Sequence, residues 1–156
     1  CWNMIGHNAA IAPFLLGIET PNLLEPPVNV LRLSLHPEGL ASRIENLPEW
    51  RAHVLERLRR LASVSGNPQV AELEVELRSY PHRASSGPVR HDYSNIAVPL
   101  RIKSGHVTLS FISTVTVFGT PLDVTVSEVA IESFFPADAA TAEVLRALAD
   151  QRAANP

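Results

Sequence analysis

Arg32 and His36 are the residues of this chain whose types and spacing best suit ligand chemistry. They lie within and just after a short, otherwise apolar segment, Val30-Leu31-Arg32-Leu33-Ser34-Leu35. A guanidinium presents a fork of donors that matches a carboxylate, and an imidazole can add one more donor. The pair could therefore hold a ligand carboxylate. The structural alternative is that Arg32 reaches solvent past its apolar stem while His36 caps the helix end.

Four further residues are candidates for the apolar wall of a ligand cavity. They are Leu35, Trp50, Phe111 and Phe118. Each also suits the hydrophobic core, and core burial is the commoner fate of a single Leu, Trp or Phe side chain. Both interpretations stay open for all four.

Metal chemistry and nucleophilic chemistry have weaker support. The six histidines show no ligand-like pairing at neighbouring helical or strand positions; they are His7, His36, His53, His82, His91 and His106. Cys1 could act as a nucleophile with its own α-amino group as base, but nothing nearby supplies oxyanion donors or an orienting acid. A lone cysteine is more often a small buried hydrophobe. We therefore predict no metal site and no catalytic cysteine.

The carboxylates among the strands do not form a catalytic pattern either. Asp123, Glu128 and Glu132 are the acidic residues there, and surface exposure accounts for them. A small α+β enzyme remains an alternative, which would need a cleft that holds an acid or base of shifted pKa. The sequence favours a binding or regulatory domain that is not an enzyme.

The first half of the chain contains the elements that would position Arg32 and His36. A short helix is predicted to begin after Asn29. A longer one follows between Asn46, which stands at capping-box spacing from Glu49, and Gly66. Asn67-Pro68 is typical of a helix start, and that helix is predicted to reach Tyr80.

The second half of the chain is predicted to form β-strands. Alternation of apolar and polar residues predicts strands over 96–103 and 107–117, with Pro99 favouring a sheet edge. A third strand begins at Val124 after a Gly-Pro turn, with a bulge near Ser127-Glu128. Trp2 to Gly6 is predicted as a short strand, and a last helix opens at Pro136-Ala137-Asp138. Helices followed by an antiparallel sheet predict an α+β fold with the helices on one sheet face.

Composition limits the function classes. The chain has 156 residues and is 46% hydrophobic, which predicts one domain over residues 1–156 with a real core. A net charge of -3 gives no general attraction for DNA phosphates. No run approaches the roughly 20 apolar residues that span a bilayer, so no membrane partner is expected. The single cysteine fits a reducing cytoplasm.

Several ordered segments carry a resemblance to a known family. They are Trp2-Asn3-Met4-Ile5-Gly6-His7-Asn8-Ala9-Ala10, then Asn29 through Leu40, Glu49-Trp50, and Val117 through Asp138. Together they resemble the ligand-binding domain of MmyB-like transcription regulators. The resemblance implies a PAS-like domain that follows a helix-turn-helix domain of the lambda-repressor (XRE) class in bacterial regulators. The DNA-binding domain and the first PAS strand are absent from this chain.

The resemblance also implies a function. We expect a ligand-sensing and dimerisation domain that binds a small apolar or fatty-acid-like molecule, needs no cofactor, and contacts DNA only through the helix-turn-helix domain. A homodimer is expected, because a second copy could cover the sheet edges that the absent strand would leave unpaired. The alternative is a dimerisation domain with a filled core and no ligand.

Overall fold

The computed structural model describes residues 2–81, 98–117 and 129–154. The chain divides into two compact units, Cys1–Tyr93 and Ser94–Pro156. The first unit contains helices, and the second contains a three-stranded antiparallel sheet with a final helix. The predicted α+β class with an antiparallel sheet is confirmed, and this architecture is consistent with a PAS-like domain. Within the described ranges, no helix is both long and apolar enough to cross a membrane.

Over residues 2–81, the helical unit has four α-helices and three short 3-10 turns. The helices are α1 (Ala12–Leu15), α2 (Val30–Leu35), α3 (Leu47–Ser65) and α4 (Pro68–Ser79). The 3-10 turns are Ala9–Ile11, Pro21–Leu23 and Ala41–Arg43. The prediction of a strand over Trp2–Gly6 is wrong. This segment forms only a single antiparallel bridge, between Asn3 and Asn29. It cannot extend because the partner segment turns into α2 directly after Asn29.

Capping residues set three of these helix boundaries, as predicted. The Asn29 side chain accepts hydrogen bonds from the backbone N–H groups of Leu31 and Arg32, and Asn67 accepts one from Gln69. Gly66 ends α3 at φ 62°, a conformation that glycine adopts without strain. These are the N-terminal and C-terminal caps that such residues typically supply.

Asn46 is the exception. It precedes α3 as predicted, but its side chain makes no capping bond to the helix backbone. Its Nδ2 instead donates to Glu49 Oε2 at 3.4 Å. The backbone of Asn46, at ψ 39°, lies outside the extended region that a capping residue usually adopts, so the predicted side-chain cap from Asn46 is wrong.

The core of the helical unit comes from one side of α3 and α4 and most of α2. Its helical members are Leu31, Leu33, Leu35, Trp50, Val54, Leu55, Leu58, Val70, Leu73 and Leu77. The predicted apolar stripe of α3 is buried as far as Leu58, whereas Leu61 is 37% exposed. Arg51 of α3 donates to the backbone oxygens of Leu77 and Arg78 at 3.0 and 2.7 Å, which fixes the C-terminal end of α4.

The sheet of the second unit has the order β1 (Leu100–Ser104), β2 (Val107–Val117) and β3 (Ala130–Pro136). Gly105, at φ 61°, forms the tight turn between β1 and β2, a conformation that glycine adopts without strain. β1 follows Pro99 and is an edge strand of this three-stranded sheet. The predicted bulge near Ser127-Glu128 and the Gly-Pro turn lie outside the described residues.

Burial of β2 is confined to its first half. Leu109 and Phe111 are 1% and 4% exposed, whereas Val107, Val115 and Val117 are 46%, 37% and 67% exposed. Among the described residues, β1 pairs with residues 107–111 of β2, and β3 pairs with residues 111–117.

The final helix, α5 (Ala139–Ala154), is tied to the middle of β2. Its N-terminal turn is capped by Asp138, whose Oδ1 accepts from the Thr141 N–H at 2.7 Å. Thr141 is 1% exposed, and its hydroxyl oxygen accepts from the Ser110 N–H at 3.0 Å. The Ser110 carbonyl accepts from Ala137 N–H at 2.8 Å, so the β2–β3 ladder continues into the helix start.

The turn after α2 gives a test of how tightly this segment is packed. A Cβ added at Gly39 would clash with the backbone oxygen of Leu33, an atom that cannot move without distorting α2. We expect Gly39→Ala to lower the free energy of unfolding by about 1–3 kcal/mol, measured by urea denaturation. Gly6→Ala is the matched control, because nothing lies within 4 Å of its added Cβ, and it should change stability by less than about 0.5 kcal/mol. Equal stabilities would contradict the packing at Gly39.

Candidate functional site

The helical unit contains an open cleft of about 530 Å³ between its N-terminal segment and the loop that leads into α2. Six of its lining residues are apolar: Met4, Ile5, Leu15, Leu24, Pro26 and Val28. Gly6 and His7 complete the lining. A volume of this size lies within the range of about 300–1,000 Å³ typical of small-molecule sites. The cleft therefore offers an apolar surface with one imidazole beside it.

Backbone hydrogen bonds hold the two walls of the cleft together at one end. The Met4 N–H donates to the Val28 carbonyl at 2.8 Å, and the Val30 N–H donates to the Trp2 carbonyl at 3.0 Å. The Arg57 guanidinium also lies 4.3 Å from the Trp2 ring centre, a cation–π contact that anchors the segment to α3. The cleft wall is thus attached to the start of α2.

His7 has a defined proton position at one of its two ring nitrogens. Its Nδ1 lies 3.0 Å from the Asn8 backbone oxygen, which can only accept, so Nδ1 carries the hydrogen. The other ring nitrogen, Nε2, is then the acceptor in the neutral ring and a donor when the ring is protonated. His7 is the single titratable residue among those that line the cleft.

A second polar group, here called the Arg32 cluster, consists of Arg32, His36, Glu76 and Tyr80. Arg32 and His36 stand four residues apart at α2, and Glu76 and Tyr80 stand four residues apart at α4. This spacing places each pair on one side of its helix. Two such pairs meet where α2 packs against α4.

The Glu76 carboxylate is the centre of the Arg32 cluster. Arg32 Nε donates to both Glu76 oxygens, at 2.8 and 3.1 Å, and Nη2 donates to Oε2 at 2.7 Å. The Tyr80 hydroxyl donates to Glu76 Oε1 in a short hydrogen bond. The His36 ring packs edge-on against the Tyr80 ring, 5.0 Å between centres, and His36 Nδ1 accepts from the Glu38 N–H at 3.2 Å.

These contacts shift the ionisation of their members. Hydrogen bonding from Arg32 holds the pKa of Glu76 below its usual range, and the same bond raises the pKa of Arg32. Burial, followed by the hydrogen bond and charge of Glu76, raises the pKa of Tyr80. The ion pair nevertheless faces solvent, since the Arg32 and Glu76 side chains are 46% and 35% exposed.

The residues predicted to form a ligand site belong to both units of the chain. Arg32 and His36 come together in the Arg32 cluster. Leu35 is 2% exposed and Trp50 is 4% exposed, so both belong to the core, and Trp50 Nε1 donates to Ser34 Oγ at 2.9 Å. Phe111 is 4% exposed in the sheet unit, where its ring meets Phe134 edge-on. Phe118 lies outside the described residues.

Sequence reasoning missed Glu76 and Tyr80 as well as the cleft. The signal for the first two was available, because Glu76 and Tyr80 repeat the four-residue spacing of Arg32 and His36. The cleft residues carried no such signal, since they are single apolar residues scattered through loops.

Among residues 2–81, 98–117 and 129–154, no group of three His, Cys, Asp or Glu side chains could hold a metal ion. Cys1, Asp123 and Glu128 lie outside those ranges, whereas Glu132 lies on β3.

The Tyr80–Glu76 contact predicts an ionisation change. In Glu76→Gln the negative charge beside the phenol is removed, so the tyrosinate becomes less costly and the pKa of Tyr80 should fall toward the ordinary value of about 10. Ultraviolet absorbance against pH, with the curve of Tyr80→Phe subtracted, measures this pKa. Glu74→Gln, which breaks the neighbouring ion pair with Arg78, should leave it unchanged. Identical shifts in both variants would refute the contact.

The family comparison gives the context for these sites. The family model described as the MmyB-like transcription regulator ligand binding domain matches residues 1–148. Comparisons with curated proteins and with solved structures gave no significant match. The match covers both the cleft and the Arg32 cluster, and nearly all of the chain. The chain therefore belongs to the family of MmyB-like transcription regulator ligand binding domains.

Proposed function

We propose that this domain senses a small apolar or fatty-acid-like molecule for a bacterial helix-turn-helix transcription regulator, and that the cleft of the helical unit is where the molecule binds. The observation that carries the proposal is the apolar lining of this cleft, about 530 Å³ in volume, in a chain of a ligand-binding family. In this proposal DNA is contacted by the helix-turn-helix domain of the full-length regulator in the cytoplasm.

An acyl chain suits the chemistry of the cleft. Each methylene group removed from water contributes about 0.8 kcal/mol, so an apolar wall made by Met4, Ile5, Leu15 and Leu24 would supply most of the affinity. His7 could receive a polar head group at the edge of the cleft, because its imidazole offers a hydrogen-bonding ring nitrogen there. An amphipathic ligand satisfies both features.

The connection between the cleft and α2 suggests how binding is transmitted. Val28 lines the cleft, and the next residue, Asn29, caps α2. A ligand that favours one spacing of the cleft walls would favour one position of the α2 start, and so shift the populations of two states of the domain. In this proposal the domain catalyses no reaction, and the ligand acts by binding one of the two states more tightly than the other.

The ligand-binding roles predicted from the sequence for six residues remain proposals. Arg32 and His36 remain predicted partners of a ligand carboxylate, and Leu35, Trp50, Phe111 and Phe118 remain predicted wall residues. None of these six is among the described residues that line the cleft. The low exposure of Leu35, Trp50 and Phe111 supports a core role at least as well as a wall role.

Dodecanoate binding tests the cleft directly. Leu24→Trp fills the cleft and should weaken dodecanoate binding to the full chain by about tenfold or more, measured by isothermal titration calorimetry. The control is Val64→Trp, which introduces the same side chain at an α3 position that is 87% exposed and outside the cleft. Native mass spectrometry of the purified protein should also show an adduct that Leu24→Trp loses. Equal affinity in both variants would exclude the cleft as the site.

We also propose that the domain forms a homodimer through the sheet unit. Ile112, Ile131 and Phe135 lie on one face of β2 and β3, as the register of Ile112 with Phe135 and of Thr116 with Ile131 requires. They are 40%, 50% and 54% exposed, an apolar surface that a second copy could cover.

The oligomeric state tests this second proposal. Phe135→Asp should reduce the mass in solution from two chains to one, measured by size-exclusion chromatography with light scattering, because it places a charge in the apolar contact. Val64→Asp changes an exposed residue of the helical unit and should leave the mass of the dimer intact. A wild-type mass of one chain at all concentrations would refute the dimer.

A further inference from the structure

The Arg32 cluster has the form of a carboxylate-binding site that is already filled. Three hydrogen bonds from Arg32 and one from Tyr80 converge on the two oxygens of Glu76. A bidentate guanidinium with an additional hydroxyl donor is an arrangement typical of carboxylate recognition. The carboxylate that it binds here belongs to a different helix of the same chain.

Comparison with other ion pairs of the chain sets this cluster apart. Glu56 pairs with Arg59 and Arg60, and Glu74 pairs with Arg78, all within three or four residues of one helix. The Arg32–Glu76 pair instead joins α2 to α4 across 44 residues of sequence. Breaking it therefore changes a helix–helix contact, whereas breaking the others changes the surface of a single helix.

The site is also accessible. Arg32 and Glu76 side chains are 46% and 35% exposed, and ion pairs exposed to this degree contribute little net free energy. Tyr80 is half-buried, and its ring packs edge-on against His36, a contact that does not involve Glu76. Exchange of one carboxylate for another needs no opening of the core.

We propose that Arg32 and Tyr80, with His36 beside them, form a receptor for a ligand carboxylate, and that Glu76 is an internal competitor which the ligand displaces. Displacement releases the tie between α2 and α4, so occupancy of the receptor is coupled to the position of α2. The inference rests on the proposed sensing function, but it does not depend on the cleft, which has its own test.

Acetate is the probe for the receptor, because it has the carboxylate and lacks the chain that the cleft would bind. The measurement follows the Nε–Hε resonance of Arg32 by nuclear magnetic resonance in the full chain, at constant ionic strength. In Glu76→Gln the receptor loses its competitor, so acetate should shift this resonance in a saturable way, with an apparent affinity at least tenfold above that of the wild type. Tyr80→Phe in the Glu76→Gln background should reduce that affinity.

Glu74→Gln is the matched control, since it frees Arg78 on the same helix without an aromatic donor beside it. The Arg78 resonance in that variant should drift weakly with acetate and not saturate. Equal responses of Arg32 and Arg78, or no response of Arg32 in Glu76→Gln, would overturn the receptor.

Glu76→Asp keeps the negative charge on a side chain that is one methylene shorter, so it should give an intermediate acetate affinity. This second variant keeps the test valid if Glu76→Gln fails to fold. Loss of acetate binding with retained dodecanoate binding would reject the receptor and leave the cleft intact.

Discussion

The buried side chain of Asn29 is the constraint on which the helical unit depends. Its Oδ1 accepts from the backbone of Leu31 and Arg32, its Nδ2 donates to Asn3 Oδ1 at 3.3 Å, and its backbone pairs with the N-terminal segment. A side-chain cap of this kind contributes about 0.5–2 kcal/mol. Because one residue starts α2 and holds the cleft wall, the geometry of the cleft and the direction of Arg32 are set by the same bonds.

Packing of α2 follows from this start. Leu31, Leu33 and Leu35 are each 4% exposed or less, so the short helix buries most of its circumference. The remaining side carries Arg32 and His36, whose four-residue spacing keeps them together. Arg51 fixes the far end of α4 through two carbonyls, and this places Glu76 and Tyr80 opposite them. Core packing thus decides which polar groups meet.

Local signals in the sequence were sufficient for much of the fold. Asn29, Gly66 and Asn67 marked helix ends correctly because each acts within three or four residues of its own position. The exposure of Val115 and Val117 could not be predicted, since the alternating pattern of β2 does not reveal where burial along the strand ends. For the site, Arg32 and His36 were chosen from the sequence, but their partner Glu76 depends on how α2 and α4 pack. The cleft depends on loop geometry and left no periodic pattern.

The bond between Thr141 and Ser110 links a helix to the interior of a strand. Ser110 lies in the middle of β2, where a sheet would ordinarily protect its amide through a neighbouring strand, but here the protecting acceptor is a hydroxyl of α5. Solvent can reach that amide as soon as α5 detaches, even while both ladders remain closed elsewhere. Hydrogen exchange at the Ser110 amide would therefore report the detachment of α5 separately from the opening of the sheet.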